Sequence, residues 1–324
     1  MIKYYPFELH THTHHSDGAM SPRTLIERAK ERGLSGLAIT DHNTTSSFYD
    51  LNEYGKELGI VVIPGIEWTT FYGHITVLGG KARVSWREIN MDNINEKIAE
   101  VVRGGDVVNI AHPKRAGSPL CTGCYFEYKI NNYDNITGFE VWSNPRPSFN
   151  ISNEIAKEEY DGLLNSGKRI ACIYGDDWHD EKNNKKQYAM TYLGIIGEVN
   201  ADNAIIALKN HRTFISTGVI INLILSGKDG NYGIGDSLPS GIYKLNIDVS
   251  YNKDYAETHN VEALNVVIEG TALDKVIKLE IKDNRVIIEK LEIKKGYLRL
   301  VVKGNIDNEY STLLISSPIY QEEY

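Results

Sequence analysis

Over the first two-thirds of the chain, short and almost wholly apolar runs alternate with stretches of helical period. The runs 36–42, 60–67, 107–112, 138–142 and 169–179 read as strands buried on both faces. Between them the helical period shows in four places: Leu25, Ile26 and Ala29 after a Ser21-Pro22 start, and segments 46–58, 93–103 and 153–165. Strands that alternate with helices pair in parallel, in a sheet covered on both sides. Five strands finish in His, Asp or Glu. A barrel gathers such ends on one rim, whereas an open doubly wound sheet spreads them along a line. The pattern therefore predicts an α/β fold, a distorted (β/α)7 barrel over residues 1–217.

After Gly218 the period changes. Segments 221–225, 243–249, 263–269, 276–281, 285–289, 297–303 and 312–316 alternate apolar and polar positions, with Gly, Asn and Asp at the joints. They predict a small antiparallel β-sandwich domain over residues 218–324.

Composition narrows the function. With 35 basic against 43 acidic residues, the net charge of −8 argues against extended nucleic acid and anionic membranes as partners. No apolar run approaches the ~20 residues that span a bilayer, and the first residues lack a signal-peptide core. Three cysteines form no disulfide framework, so the expected location is cytoplasmic. Cys121-Thr122-Gly123-Cys124 reads as a loop with incidental thiols.

The candidate chemistry begins at Glu8-Leu9-His10-Thr11-His12-Thr13-His14-His15-Ser16-Asp17-Gly18. In an extended chain His10, His12 and His14 share one face. Imidazole is the commonest ligand for zinc-like metals, so the segment reads as half of a metal site. Collecting strand ends gives His10, His12, Asp17, His42, Glu67, His112, Asp177 and His179, with His74 just beyond Glu67. A catalytic ion that keeps a position for water takes about three or four protein ligands, so this set fits two or three divalent ions. Imidazole and carboxylate without thiolate suit Zn, Mn or Fe. Asp41 is expected to orient a neighbouring ligand, and Trp68, Trp142 and Trp178 stand near strand ends.

His10-Thr11-His12 with Ser16-Asp17-Gly18, Thr40-Asp41-His42-Asn43, Gly65-Ile66-Glu67, Ala111-His112-Pro113 and Asp176-Asp177-Trp178-His179 resemble the successive motifs of the PHP (polymerase and histidinol phosphatase) metallohydrolase superfamily. The likeness runs from residue 1 to about residue 217. Glu67-Trp68, Gly73-His74-Ile75 and the trailing all-β segment further resemble its carbaryl-hydrolase-like branch. The resemblance implies that His10, His12, Glu67 and Asp177 hold one metal, that Glu67 bridges to a second held by His74 and His112, and that Asp17, His42 and His179 hold a third. In one place the chain departs from the motif, where Asp176 stands for a common Ser; the two-residue period from His179 favours Asp177 as the ligand.

The implied activity is a metal-dependent phosphoesterase that hydrolyses a small phosphorylated metabolite or nucleotide by a metal-bridging hydroxide. Asp177, His179 and Arg115 are its expected catalytic residues, Arg115 as the phosphate grip and Arg146 as a second candidate. A metal-dependent carbamate or carboxylic ester hydrolase is the alternative within the same chemistry. A non-catalytic, metal-stabilised binding module is the alternative of another class.

Overall fold

The computed structural model describes residues 2–49, 51–82, 84–116, 125–183 and 187–322; the Cys121–Cys124 pair lies outside them. The first region comprises β1 (Lys3–Glu8), α1 (Pro22–Glu31), β2 (Gly36–Ile39), α2 (Leu51–Leu58), β3 (Val61–Thr70), β4 (Gly73–Leu78), α3 (Ile94–Arg103) and β5 (Val107–Ile110). It continues through β6 (Gly138–Ser143), α4 (Ile151–Asn165), β7 (Ala171–Gly175), β8 (Met190–Ile195), α5 (Ala201–Lys209) and β9 (Thr213–Ser216). Local chemistry explains the helix starts. The Ser21 hydroxyl accepts the Thr24 N–H at 3.1 Å, and Pro22 occupies the first helical position, where it removes no hydrogen bond.

Strands β1, β2 and β3 pair in parallel, as do β5, β6 and β7. Two antiparallel elements depart from the expected alternation. β4 forms a hairpin on β3 and hands on to β5, and β8 lies antiparallel to β1. The predicted helix over 46–58 is a 3-10 turn at Ser46–Phe48 followed by α2. Residues of most of these strands, including Phe7, Ala38, Ile63, Leu78, Val107 and Ile173, form one hydrophobic cluster with Ile205 and Leu208 of α5. Leu9, just past the end of β1, joins the same cluster.

No regular ladder joins β7 to β8 or β9 among the described residues. Hydroxyls occupy that gap instead. Thr191 Oγ1 accepts the Tyr174 N–H and donates to the Tyr174 carbonyl, while Ser317 and Thr213 bond the N–H and carbonyl of Cys172. Beyond the strand ends, an isolated bridge between Thr11 and Trp178 ties the two segments together.

The second region holds β10 (Val219–Gly227), β11 (Gly230–Tyr232), β12 (Ser237–Leu238), β13 (Gly241–Tyr251), α6 (Lys253–Thr258), β14 (Glu262–Glu269) and β15 (Ile277–Glu280). It ends with β16 (Arg285–Ile293), β17 (Tyr297–Ile306), β18 (Glu309–Ser316) and β19 (Ile319–Gln321). β10, β11, β13 and β16 form a four-stranded antiparallel sheet. β18 pairs with β9, so the other C-terminal strands extend the first region's sheet to 15 strands in all. The expected antiparallel texture is present, but it is joined to the α/β region through a shared sheet, and α6 interrupts it. No helix among the described residues is long and apolar enough to cross a membrane.

Candidate metal centre

The histidine run lies just past the end of β1. Its threonines face away and fasten it: Thr11 Oγ1 donates to the Ala38 carbonyl at 2.7 Å, and Asp41 accepts from the Thr13 N–H at 2.7 Å and the Ser16 hydroxyl at 2.8 Å. Asp41 thus fixes the turn between His12 and Asp17. Gly18 closes that turn, because a Cβ there would lie 2.3 Å from the His12 carbonyl oxygen. His10 and His12 are fully buried. His14 does not share their face: the turn begins at that residue and leaves it exposed, stacked on His15.

Four side-chain atoms converge beneath this turn. Oε2 of Glu67 lies 3.2 Å from Nε2 of His10 and 3.4 Å from Nε2 of His12. Oδ1 of Asp177 lies 3.4 Å and 2.9 Å from the same two nitrogens. All four atoms are buried and none has a hydrogen-bond partner. The other Glu67 oxygen faces a different pair, Nδ1 of His74 at 2.8 Å and Nε2 of His112 at 3.1 Å. A third set lies toward solvent, where Oδ1 of Asp17 is 3.1 Å from His179 Nε2 and 3.5 Å from His42 Nε2. All nine residues collected from the sequence therefore meet at one mouth.

The sets overlap. His12 also groups with Asp17, His42 and His179, His112 with His10, Glu67 and Asp177, and His42 with Glu67 and His74. Two of these residues occupy backbone conformations that favour glycine, His112 at φ 25° and Asp177 at φ 53°. Such strain at the ends of β5 and β7 persists only where the surroundings impose it.

Electrostatics couple the groups. Burial opposes charge on Glu67 and Asp177, yet the surrounding imidazoles, His10 foremost, hold both carboxyls well below the usual range. Burial likewise disfavours a charged His42, but Asp17 and Glu67 push its imidazole up to about 10. Carboxylates that stay ionised in a dry pocket need cations, whether protons on imidazole or metal ions.

Glu140 was not among the residues collected from the sequence. Its Oε1 lies 2.8 Å from Nδ1 of His10, and its Oε2 accepts the His112 N–H at 2.8 Å. A carboxylate on Nδ1 keeps the proton there and leaves Nε2 as the coordinating atom. The available signal was an acid inside an otherwise apolar strand. Gly175 makes room for this contact, since a Cβ would fall 2.4 Å from Glu140 Oε1.

Arg115 is partly exposed and pairs with Oδ2 of Asp177, so it reaches the mouth. Lys114 is committed to Glu159, and Arg146 to Glu309 on β18. Asp176 turns away from the mouth and pairs with Arg32 at 2.8 Å. Trp68, Trp142 and Trp178 are all buried, and Trp68 also lines a cavity with Gly65, Ile66 and Val77.

Residues 8–215 match the model of the PHP domain family. The chain belongs to the PHP domain family. It is 41% identical over 68 residues to the 5′-3′ exoribonuclease Rnm of Salmonella typhimurium, covering 20% of this chain and 23% of that protein. It is 36% identical over 70 residues to a 3′,5′-nucleoside bisphosphate phosphatase of Chromobacterium violaceum, covering 22% and 25%. The chain thus matches about a quarter of the length of these curated relatives. A crystal structure from Bacteroides vulgatus, of a two-domain protein containing a predicted PHP-like metal-dependent phosphoesterase, aligns over 98% of this chain and 96% of its own with TM-score 0.55 and 17% identity. That likeness is one of fold, and it spans both regions.

Proposed function

We propose that the protein is a metal-dependent phosphoesterase acting on a small phosphorylated metabolite or a nucleotide. One observation carries this reading: the buried Nε2 atoms of His10 and His12 each lie 2.9–3.4 Å from both Glu67 Oε2 and Asp177 Oδ1, and yet none of the four makes a hydrogen bond. Buried polar atoms without partners are destabilising, and a cation at their common focus satisfies all four at once.

On this reading His10, His12, Glu67 and Asp177 hold one divalent ion. Glu67, His74 and His112 would hold a second ion, and Asp17, His42 and His179 a third. Oxygen and imidazole donors without thiolate suit Zn, Mn or Fe. Divalent ions held there supply Lewis-acid activation of water and neutralise phosphoryl charge. The chain supplies orientation and a counter-cation. Glu140 keeps the proton on His10 Nδ1, and Arg115, beside Asp177, is placed to donate to the oxygens of an incoming phosphate. The net charge of −8 favours a small substrate over extended nucleic acid, although three relatives bear the name exoribonuclease.

The test is to assay zinc-loaded and manganese-loaded protein in parallel on para-nitrophenyl phosphate, an RNA oligonucleotide and an aryl carbamate. Turnover of the phosphate ester supports the proposal. Turnover of the carbamate alone refutes it and favours the carbaryl-hydrolase-like reading.

A further inference from the structure

The loop that carries Asp177 is braced from below by side chains that hold no metal in the reading above. Asp176 is buried, and its Oδ2 pairs with Nη1 of Arg32 at 2.8 Å while its Oδ1 accepts the Tyr174 hydroxyl at 3.0 Å. The Asp176 N–H donates to Glu8 Oε1 at 2.9 Å, and the same oxygen accepts the His10 N–H at 2.9 Å. One carboxylate therefore fastens the backbones of both ligand segments where no regular strand ladder joins them.

Arg32 caps the C-terminus of α1 and is itself buried. Its guanidinium lies 3.4 Å from the centre of the Trp178 ring and 4.5 Å from that of Tyr188. Tyr188 is in turn clasped from the C-terminal region. The Tyr255 hydroxyl, on α6, donates to the Tyr188 carbonyl at 2.6 Å and accepts the Tyr188 N–H at 3.1 Å. The contacts thus run without a break from α6 to the residue beside Asp177.

We propose that the C-terminal region positions the metal-binding loop through the line Tyr255, Tyr188, Arg32 and Asp176. The inference rests on the metal-centre reading. Asp177 sits at φ 53°, a conformation unfavourable for a residue with a side chain, so something must hold it there. A buried Arg–Asp pair gripped between two aromatic rings supplies that rigidity. These are positioning residues, since they act through Asp177 and His10.

The experiment measures manganese and zinc affinity of the full chain by competition with a chromophoric chelator, alongside thermal melting. Tyr255→Phe keeps the ring and removes the clasp. The double variant Arg32→Met/Asp176→Ser removes the pair without stranding a buried charge. Arg299→Met, in a buried ion pair far from the mouth, is the control for general destabilisation. The expected result is an affinity about tenfold weaker in the first two variants, the size usual for residues that orient ligands, and unchanged in the control. Wild-type affinity in both test variants overturns the positioning role, as does an equal loss in the control. A wild-type chain that takes up neither ion overturns the metal-centre reading along with it.

Discussion

Replacing Glu140 with Gln tests how the ligands are oriented. Glu140 is buried, with one oxygen 2.8 Å from His10 Nδ1 and the other accepting the His112 N–H at 2.8 Å. Glutamine keeps the shape but has one acceptor where the carboxylate has two. If its oxygen stays on His10, its amide N–H₂ opposes the His112 N–H, donor against donor. If it turns over, the amide donates to His10 Nδ1 and the imidazole proton moves to Nε2, the atom aimed at the quartet. Either arrangement forfeits a charge-assisted hydrogen bond, an effect of about 1.5–3 kcal/mol on the ligand geometry. In metal affinity that corresponds to roughly 10- to 100-fold. Isothermal titration of manganese and zinc into Glu140→Gln and wild type measures it directly. An affinity indistinguishable from wild type would refute the claim that Glu140 sets the His10 tautomer.

Three further outcomes follow from particular contacts. Arg115→Gln should raise KM for a phosphate ester about tenfold while altering hydrolysis of a neutral ester little, because a charged donor matters for a dianion; steady-state kinetics on both substrates checks this, and an unchanged KM contradicts it. Arg299, buried between Asp161 of α4 and Glu269 of β14 at 2.5 and 2.7 Å, joins the two regions. Arg299→Met strands Glu269, leaves Asp161 with Lys157, and should destabilise the fold by about 3 kcal/mol in urea unfolding; a midpoint equal to wild type would contradict this. Burial, with Arg169 nearby, pushes the His211 imidazole down to about 4. Between that value and the ordinary ~6.5 the unfolded chain takes up a proton that the folded chain refuses, so stability is whole above about 6.5 and falls as the pH drops toward 4. His211→Asn, which tolerates the φ of 52° there, should flatten that fall in urea melts run across the interval, and an unchanged slope would tell against it.

What the chain's pattern reveals follows from what each signal depends on. β2, β5, β6 and β7 are legible because a strand buried on both faces is apolar at most positions, and the ligands are legible because His, Asp and Glu are out of place at the ends of such strands. The direction of pairing is not written locally. Gly73–Leu78 would suit either sense, and only the two-residue hairpin loop at Phe71 and Tyr72 makes β4 antiparallel. The shared sheet is hidden for a related reason: β9 and β18 meet across about a hundred residues of intervening chain, and alternation says nothing of partners. His14 was expected beside His10 and His12 because an extended period was carried past Glu8, where β1 in fact ends. Glu140 lies in mid-strand, where no rule of strand ends would find it.

Metal content and position in protein reconstituted with manganese or zinc, by elemental analysis and anomalous diffraction, test the central claim most directly. The account predicts two or three ions per chain, with Oε1 and Oε2 of Glu67 on different ions and His10, His12 and Asp177 around one of them. An ion-free chain, or ions bound away from Glu67, would contradict it.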